Sequence, residues 1–337
     1  MMSANELFPK LVADLGGTNI RFAICNLPSE VDDKGSKATF DITHVEQFSL
    51  RDYEDLQHLL SHYLAEKNVE IRSCCFAIAG PINHGRVKMT NYDWEISDAK
   101  LNAILNIDNA LLINDFAAIA HSVPFLNSAQ LIDIGDGQSL NEHPISVFGP
   151  GTGLGAAMLV PTDDAKSFKV IATEGGHAAI SARSDLELAV FDYWRKQGCR
   201  INREFFICGN GIERLFEGIV AIRGIKDQQN LSAPDIQRNA CSGKEGPLEQ
   251  LCADALSAFC GFLGSAAGDQ VLCTGSRGGL ILAGGILPRC VDFLQHSEFR
   301  NRFESKGVMS DYTKQVSTKL IVEPQPGLIG AAACGMR

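Results

Sequence analysis

The chain has 337 residues, 45% apolar and 21% charged, which at roughly 100–200 residues per domain suggests two globular domains. Lys plus Arg number 30 against 40 Asp plus Glu, a net charge of −10. This composition excludes a disordered or fibrous chain. It also argues against a nucleic-acid partner, since phosphate backbones are held by clustered Lys and Arg.

The longest uncharged helical stretch, Ala255 to Gly268, lies between Asp254 and Asp269. It is shorter than the roughly 20 residues a membrane span needs, so no membrane is expected. The first residues lack a basic segment followed by an apolar one, so no leader is expected. The 11 cysteines are odd in number and scattered, mostly inside apolar stretches. With no C-x-x-C and no H-E-x-x-H, they read as reduced thiols of a cytoplasmic protein rather than disulfides or zinc ligands.

In chain order, Leu11–Asp14 is an apolar strand stopped by Gly16-Gly17. Ile20–Asn26 alternates and reads as a second strand, so the pair forms a hairpin. Glu30–Lys37 is charged and reads as a loop. Leu56, Leu59, Leu60 and Leu64 give 53–68 a helical period. Ser73–Ala79 is a buried strand running into Gly80-Pro81, and Val87–Met89 is a short strand. Ser97 caps a helix to Leu105. Ala110–Ile113 is a buried strand ending at Asn114-Asp115, and a helix starts at Phe116.

The second half repeats the opening. Ile145–Phe148 is a strand, Gly149–Gly155 a glycine loop, and Ala156–Val160 a strand. This recurrence of a strand, a glycine turn and a strand hints at duplication within an α/β chain. Residues 184–240 read as mostly helical, with Gly209-Asn210-Gly211 as a helix stop. Leu248–Ala267 is a long helix rich in small residues. Leu280–Ala283 is a buried strand ending in Gly284-Gly285. A strand at Leu320–Val322, a loop at 324–327 and a helix from Leu328 close the chain.

Four constellations carry chemistry. In Asp14-Leu15-Gly16-Gly17-Thr18-Asn19, glycines at a turn uncover backbone N–H groups that suit a phosphate, and Asp14 suits Mg²⁺ through water; an ordinary hairpin turn is the rival. Gly149-Pro-Gly151-Thr152-Gly153-Leu-Gly155 is a second phosphate loop. Its rival is a dinucleotide fingerprint, with Glu174 about 20 residues on, but that needs a helix directly after the glycines. In Ile113-Asn114-Asp115, Asp115 suits a general base at a strand end, or caps the next helix. In Glu174-Gly175-Gly176-His177, a carboxylate and an imidazole suit sugar hydroxyls, or form a plain surface loop. Glu204 and Gly284-Gly285 are weaker signals, and a Walker A sequence is absent.

Together, DLGGTN, AGP, INDF, GTGLG, EGGH, LAGG and PGLIGAA follow in order over nearly the whole chain. The set resembles the bacterial hexokinase-like glucokinases of the enterobacterial type. The resemblance implies the two-domain actin/hexokinase/Hsp70 ATPase fold (ribonuclease H-like), with a cleft between domains at 1–124 plus 323–337 and 125–322. It implies an enzyme that uses ATP and Mg²⁺ to phosphorylate D-glucose on its 6-hydroxyl, the first step of glycolysis. Ala13, Asp14, Leu15, Gly16, Gly17, Thr18 and Asn19 form the first phosphate loop, and Gly151, Thr152 and Gly153 the second. Gly284 and Gly285 belong to the adenosine motif. The segments 77–81 and 327–332 match the connections near the hinge. Asn114, Glu174, His177 and Glu204 bind the sugar, Asp115 is the base, and Asp14 carries the metal. Ala13 stands where glycine is common. A cytoplasmic homodimer follows by the same resemblance. Another hexose as substrate, a non-catalytic sugar sensor and a dehydrogenase remain the alternatives.

Overall fold

A computed structural model describes residues 7–26, 40–80, 82–89, 92–162, 167–226 and 229–335. The loop expected at Glu30–Lys37, and Pro81, lie outside them. Contacts divide the chain into two units, Met1–Gln130 with Glu323–Arg337, and Leu131–Val322.

Unit 1 is built on a five-stranded sheet of order β3-β2-β1-β4-β7. Here β1 is Lys10–Leu15, β2 Asn19–Asn26, β3 Asp41–Ser49, β4 Ser73–Ile78 and β7 Ala110–Asn114. Short β5 (Arg86–Lys88) and β6 (Glu95–Ser97) pair separately. β1 and β2 are antiparallel, and β1, β4 and β7 are parallel. Every residue of β4 is buried, the signature of a central parallel strand. Helix α1 (Leu56–Leu64) starts where Asp55 accepts the His58 N–H at 2.8 Å. Helix α2 (Asp98–Leu105) starts where Ser97 accepts the Lys100 N–H at 3.2 Å. Helix α3 (Asp115–Ser122) packs against the C-terminal helix Pro326–Ala333. That last helix starts at Pro326, inside the expected loop, because proline is at home in a first helical turn.

β3 was not expected from the sequence. It is an edge strand, mostly exposed, with a register shift opposite Phe22–Ile24. The shift breaks the alternation that marks a strand, and a mostly exposed edge strand has little need of apolar residues.

Unit 2 holds a six-stranded sheet of order β11-β10-β9-β12-β13-β8. Its strands are β8 (Leu131–Asp133), β9 (Ile145–Pro150), β10 (Leu154–Pro161), β11 (Phe168–Thr173), β12 (Gly279–Leu282) and β13 (Thr318–Ile321). Strands β11-β10-β9-β12-β13 repeat β3-β2-β1-β4-β7: three antiparallel strands, then parallel neighbours. The duplication hinted at by two glycine turns is therefore a repeat of five strands, with β8 added at the edge of the second sheet.

Helices α4 (Asp185–Lys196), α5 (Arg203–Phe206), α6 (Gly209–Ile222), α7 (Ala233–Ala240) and α8 (Pro247–Thr274) fill the middle of unit 2. Gly209-Asn210-Gly211 starts a helix rather than stopping one. The Cys208 thiol accepts the Gly211 N–H at 3.3 Å, a cap that the sequence pattern does not advertise. Helix α8 runs 28 residues and is long and apolar enough to cross a membrane by length and composition. Its most apolar window is 83% buried within the protein, so it is a core helix. Its small residues are docking points: a Cβ on Gly264 would overlap the Phe299 carbonyl, and one on Gly268 the Phe303 carbonyl. Among the eleven cysteines none is paired.

Candidate active site

In unit 1 the candidates sit at the carboxyl ends of parallel strands. Asp14 lies in β1 and Asn114 ends β7, two strand spacings apart, roughly 10 Å. Asn114 is the N-cap of α3: its Oδ1 accepts the Phe116 and Ala117 N–H groups at 2.9 and 3.1 Å. Its Nδ2 is 3.5 Å from the Gly80 carbonyl. Asp115, read from sequence as a possible cap, is the first residue of the helix instead, half-buried, with Oδ1 accepting the Phe116 N–H at 2.9 Å. The capping work falls mainly to Asn114, and the Asp115 carboxylate sits in the first turn of the helix.

The Asp14 carboxyl faces the start of the C-terminal helix, since a Cβ on Gly327 would lie 3.1 Å from Oδ2. Burial raises its pKa above the ordinary carboxylate value, and the Arg21 charge opposes this. The turn after it leaves Gly17, Thr18 and Asn19 exposed, with Gly16 N–H donating to Asn19 O at 2.9 Å. Asn19 Nδ2 donates to Thr18 Oγ1 at 3.1 Å. Gly16 is not in the left-handed region, and a Cβ there would meet the Asn19 carbonyl oxygen only at ordinary contact distance. Ala13 and Leu15 are buried in β1, so of this loop they offer a ligand no side chain, whereas the Thr18 and Asn19 side chains are exposed.

Among the described residues no three His, Cys, Asp or Glu side chains cluster to hold a metal. A lone carboxylate such as Asp14 fits a cation that arrives with a phosphate ligand, not a resident ion.

In unit 2 the structure joins four of the sequence motifs. β9 extends through Gly149 and β10 starts at Leu154, so the second loop is 151–153 and leads into a strand. No helix follows the glycines, which removes the dinucleotide fingerprint. Gly151 N–H donates to Gly153 O at 2.8 Å, and Gly209 N–H to Gly151 O at 3.0 Å. Gly284 docks on this loop: its φ is 93° and a Cβ there would overlap the Pro150 carbonyl. Gly285 and Gly151 differ, because a Cβ on either meets no protein atom within 4 Å. Thr152 is exposed beside them. Glu204, in α5, accepts the Leu154 N–H on Oε2 at 2.8 Å. A Cβ on Gly153 would lie 2.5 Å from the same oxygen, so glycine is what lets Glu204 approach.

The Glu174-Gly-Gly-His177 segment forms a 3-10 turn against β10, and a Cβ on Gly176 would overlap the Leu154 carbonyl. His177 Nε2 is 4.0 Å from Glu174 Oε2, and both side chains are more than half exposed. Arg203 holds this turn from beneath. It is 7% exposed, and Nη1 donates to Gly175 O at 3.3 Å and to Gln270 Oε1 at 3.2 Å. Sequence reasoning passed over Arg203 and Asn202, since nothing local marks an arginine as buried.

The sequence profile of the family described as Glucokinase matches residues 11–337. A glucokinase of Colwellia psychrerythraea is 38% identical over 330 residues, covering 96% of this chain and 94% of the relative. A glucokinase of a Caulobacter species is 38% identical over 333 residues, covering 98% and 96%. Among solved structures, a glucokinase from an Antarctic psychrotroph superposes with a TM-score of 0.83 at 39% identity, covering 96% of this chain and 98% of that one. A ROK-family glucokinase from Streptomyces griseus, solved with glucose and AMPPNP, has a TM-score of 0.62 at 17% identity, covering 96% of this chain and 97% of that one, a likeness of fold.

Proposed function

Given that the chain belongs to the glucokinase family, with its two-domain actin-like ATPase fold and its ATP-dependent phosphorylation of glucose, we propose that Asp115 is the base of that reaction. The observation that carries this is the division of labour at the end of β7: Asn114 caps the helix, and the Asp115 carboxylate sits at its N-terminus. Asp115 takes the proton of the sugar 6-hydroxyl as that oxygen attacks the γ-phosphorus, giving glucose 6-phosphate and ADP. The transition state is loose, so positioning and charge stabilisation supply most of the rate.

Asn114, Glu174, His177 and Glu204 bind the sugar. A hydroxyl missing from an analogue strands one of these polar groups, at a cost of about 1–3 kcal/mol. The turn 13–19 and the loop 151–153 receive the phosphates through backbone N–H groups, and Gly284-Gly285 gives the adenosine a bare backbone to lie on. Asp14 would hold Mg²⁺ through water, and the cation would supply charge neutralisation at the phosphates. The protein acts in the cytoplasm as a homodimer, feeding glycolysis. Light scattering on the purified protein checks the dimer.

Asp115→Asn tests the base. Turnover is expected to fall by roughly 10²–10⁴-fold while glucose Kd, measured by calorimetry, changes little. Near-normal ADP release from that variant would remove Asp115 from the role. A panel of glucose, mannose, fructose and N-acetylglucosamine in the same coupled assay separates glucose from other hexoses. Sugar binding without ADP release would mark a sensor.

A further inference from the structure

Asn202 is the N-cap of α5, and both ends of its amide are committed. Its Oδ1 accepts the Phe205 N–H at 2.9 Å. Only an oxygen can accept there, so this contact decides which end of the amide is which. The other end is therefore Nδ2, and it lies 3.3 Å from His177 Nδ1. An amide nitrogen only donates, so Nδ1 has to accept and carries no hydrogen. In a neutral imidazole the proton then resides on Nε2.

The pairing is built rather than accidental, because the segment around His177 is gripped on both sides. The His177 N–H donates to Glu174 O at 3.0 Å, and the Arg203 N–H to Ala178 O at 2.9 Å. The buried Arg203 guanidinium donates to Gly175 O at 3.3 Å. Residues 202, 203 and 204 thus act as one short ridge. Asn202 and Arg203 hold the 174–178 turn, and Glu204 holds the glycine loop through Leu154 N–H.

His177 Nε2 points toward Glu174 and lies 4.0 Å from its Oε2. With the proton on Nε2, the two side chains present one donor and one acceptor. That pair matches neighbouring sugar hydroxyls, each of which both donates and accepts. With the proton on Nδ1 the same pair presents two acceptors. We propose that Asn202 is a positioning residue for the sugar: it holds His177 in the Nε2–H tautomer, so that His177 donates while Glu174 accepts. This rests on the reading of His177 and Glu174 as sugar ligands.

The test uses ¹⁵N labelling of the histidine rings in the intact chain, whose eight histidines are few enough to resolve. His177→Ala identifies the His177 signals. Asn202→Asp and Asn202→Ser both keep a side chain that caps α5, so the helix start survives. Asp replaces the donor facing Nδ1 by an acceptor, and Ser is too short to reach the ring. The native protein, without sugar, is expected to show an unprotonated Nδ1 and a protonated Nε2. In Asn202→Asp the proton appears on Nδ1, and in Asn202→Ser the two tautomers mix. The KM for glucose rises roughly tenfold in Asn202→Asp while the KM for ATP stays unchanged. A native Nδ1–H ring, or an unaltered ring spectrum in Asn202→Asp, overturns the proposal. A glucose KM that is indifferent to His177→Ala overturns instead the placement of His177 on the sugar, and the ring spectra still decide what Asn202 does.

Discussion

Three glycines of unit 2 show how the same residue type serves two masters. Gly284 is demanded by the protein itself, with φ of 93° and the Pro150 carbonyl where a Cβ would go. Gly151 and Gly285 are demanded by nothing in the protein, since a Cβ on either has open space and neither is in the left-handed region. The proposed nucleotide site gives them a reason. Gly284→Ala is expected to lower stability by several kcal/mol, on the order of an overpacked core with added backbone strain. Gly151→Ala is expected to hold or raise stability by about 0.4–1 kcal/mol through the unfolded chain. It should raise the KM for ATP by roughly tenfold or more, since a methyl group then stands where a phosphate approaches. Thermal melts with ATP titrations separate the two. If Gly151→Ala binds ATP normally, the loop 151–153 is a structural turn. The sequence did not separate Gly284 from Gly285, because a letter G does not state whether backbone or ligand needs the room.

Among the elements, the C-terminal helix Pro326–Ala333 shows how packing is decided by absence of side chains. A Cβ on Gly330 would overlap the backbone carbonyl of Ala118 in α3, and backbone cannot step aside as a side chain can. The two helices are in contact at close range only because Gly330 is bare. Gly330→Ala should therefore destabilise by about 1–3 kcal/mol or more, against the slight gain that alanine gives an ordinary helix. Denaturant melts check the sign, and an unchanged midpoint would mean that α3 yields. The sequence showed α1 by its leucine spacing, though over 53–68 rather than Leu56–Leu64, and α2 by its Ser97 cap, a contact three residues long. It hid α6 behind a glycine pair and a thiol cap, and it hid β3, whose partner is β2 and whose register shifts midway.

Across the whole molecule, the eleven cysteines are mostly core residues. Eight are buried, Cys199 is half-buried, and Cys241 and Cys273 are exposed. Burial pushes the thiols of Cys25 and Cys74 up to about 12, and those of Cys252 and Cys290 up to about 11, so little thiolate exists there at neutral pH. Cys334 is the exception. A hydrogen bond with Cys75 and then one with His121 hold it down, to about 4, while Cys75 is pushed up. It is also 8% exposed, so access, not charge, protects it. A thiol reagent at neutral pH should titrate two cysteines quickly, one slowly, and the rest only on unfolding. A third fast thiol traced to Cys334 would show that the end of the chain opens.

The sequence by itself determined the chemistry in hand: which carboxylates end strands, which turns are bare, and the order of motifs that marks the family. It also determined the Ser97 cap, because that contact lies within three residues. Only the tertiary structure decided that Gly284 rests on the loop at Pro150, that the apolar window of α8 is sheathed by protein, and that Asn202 reaches His177. Those contacts join segments 25 to more than 100 residues apart in sequence. They depend on where sheets and helices place their backbones, which no local pattern of residues encodes.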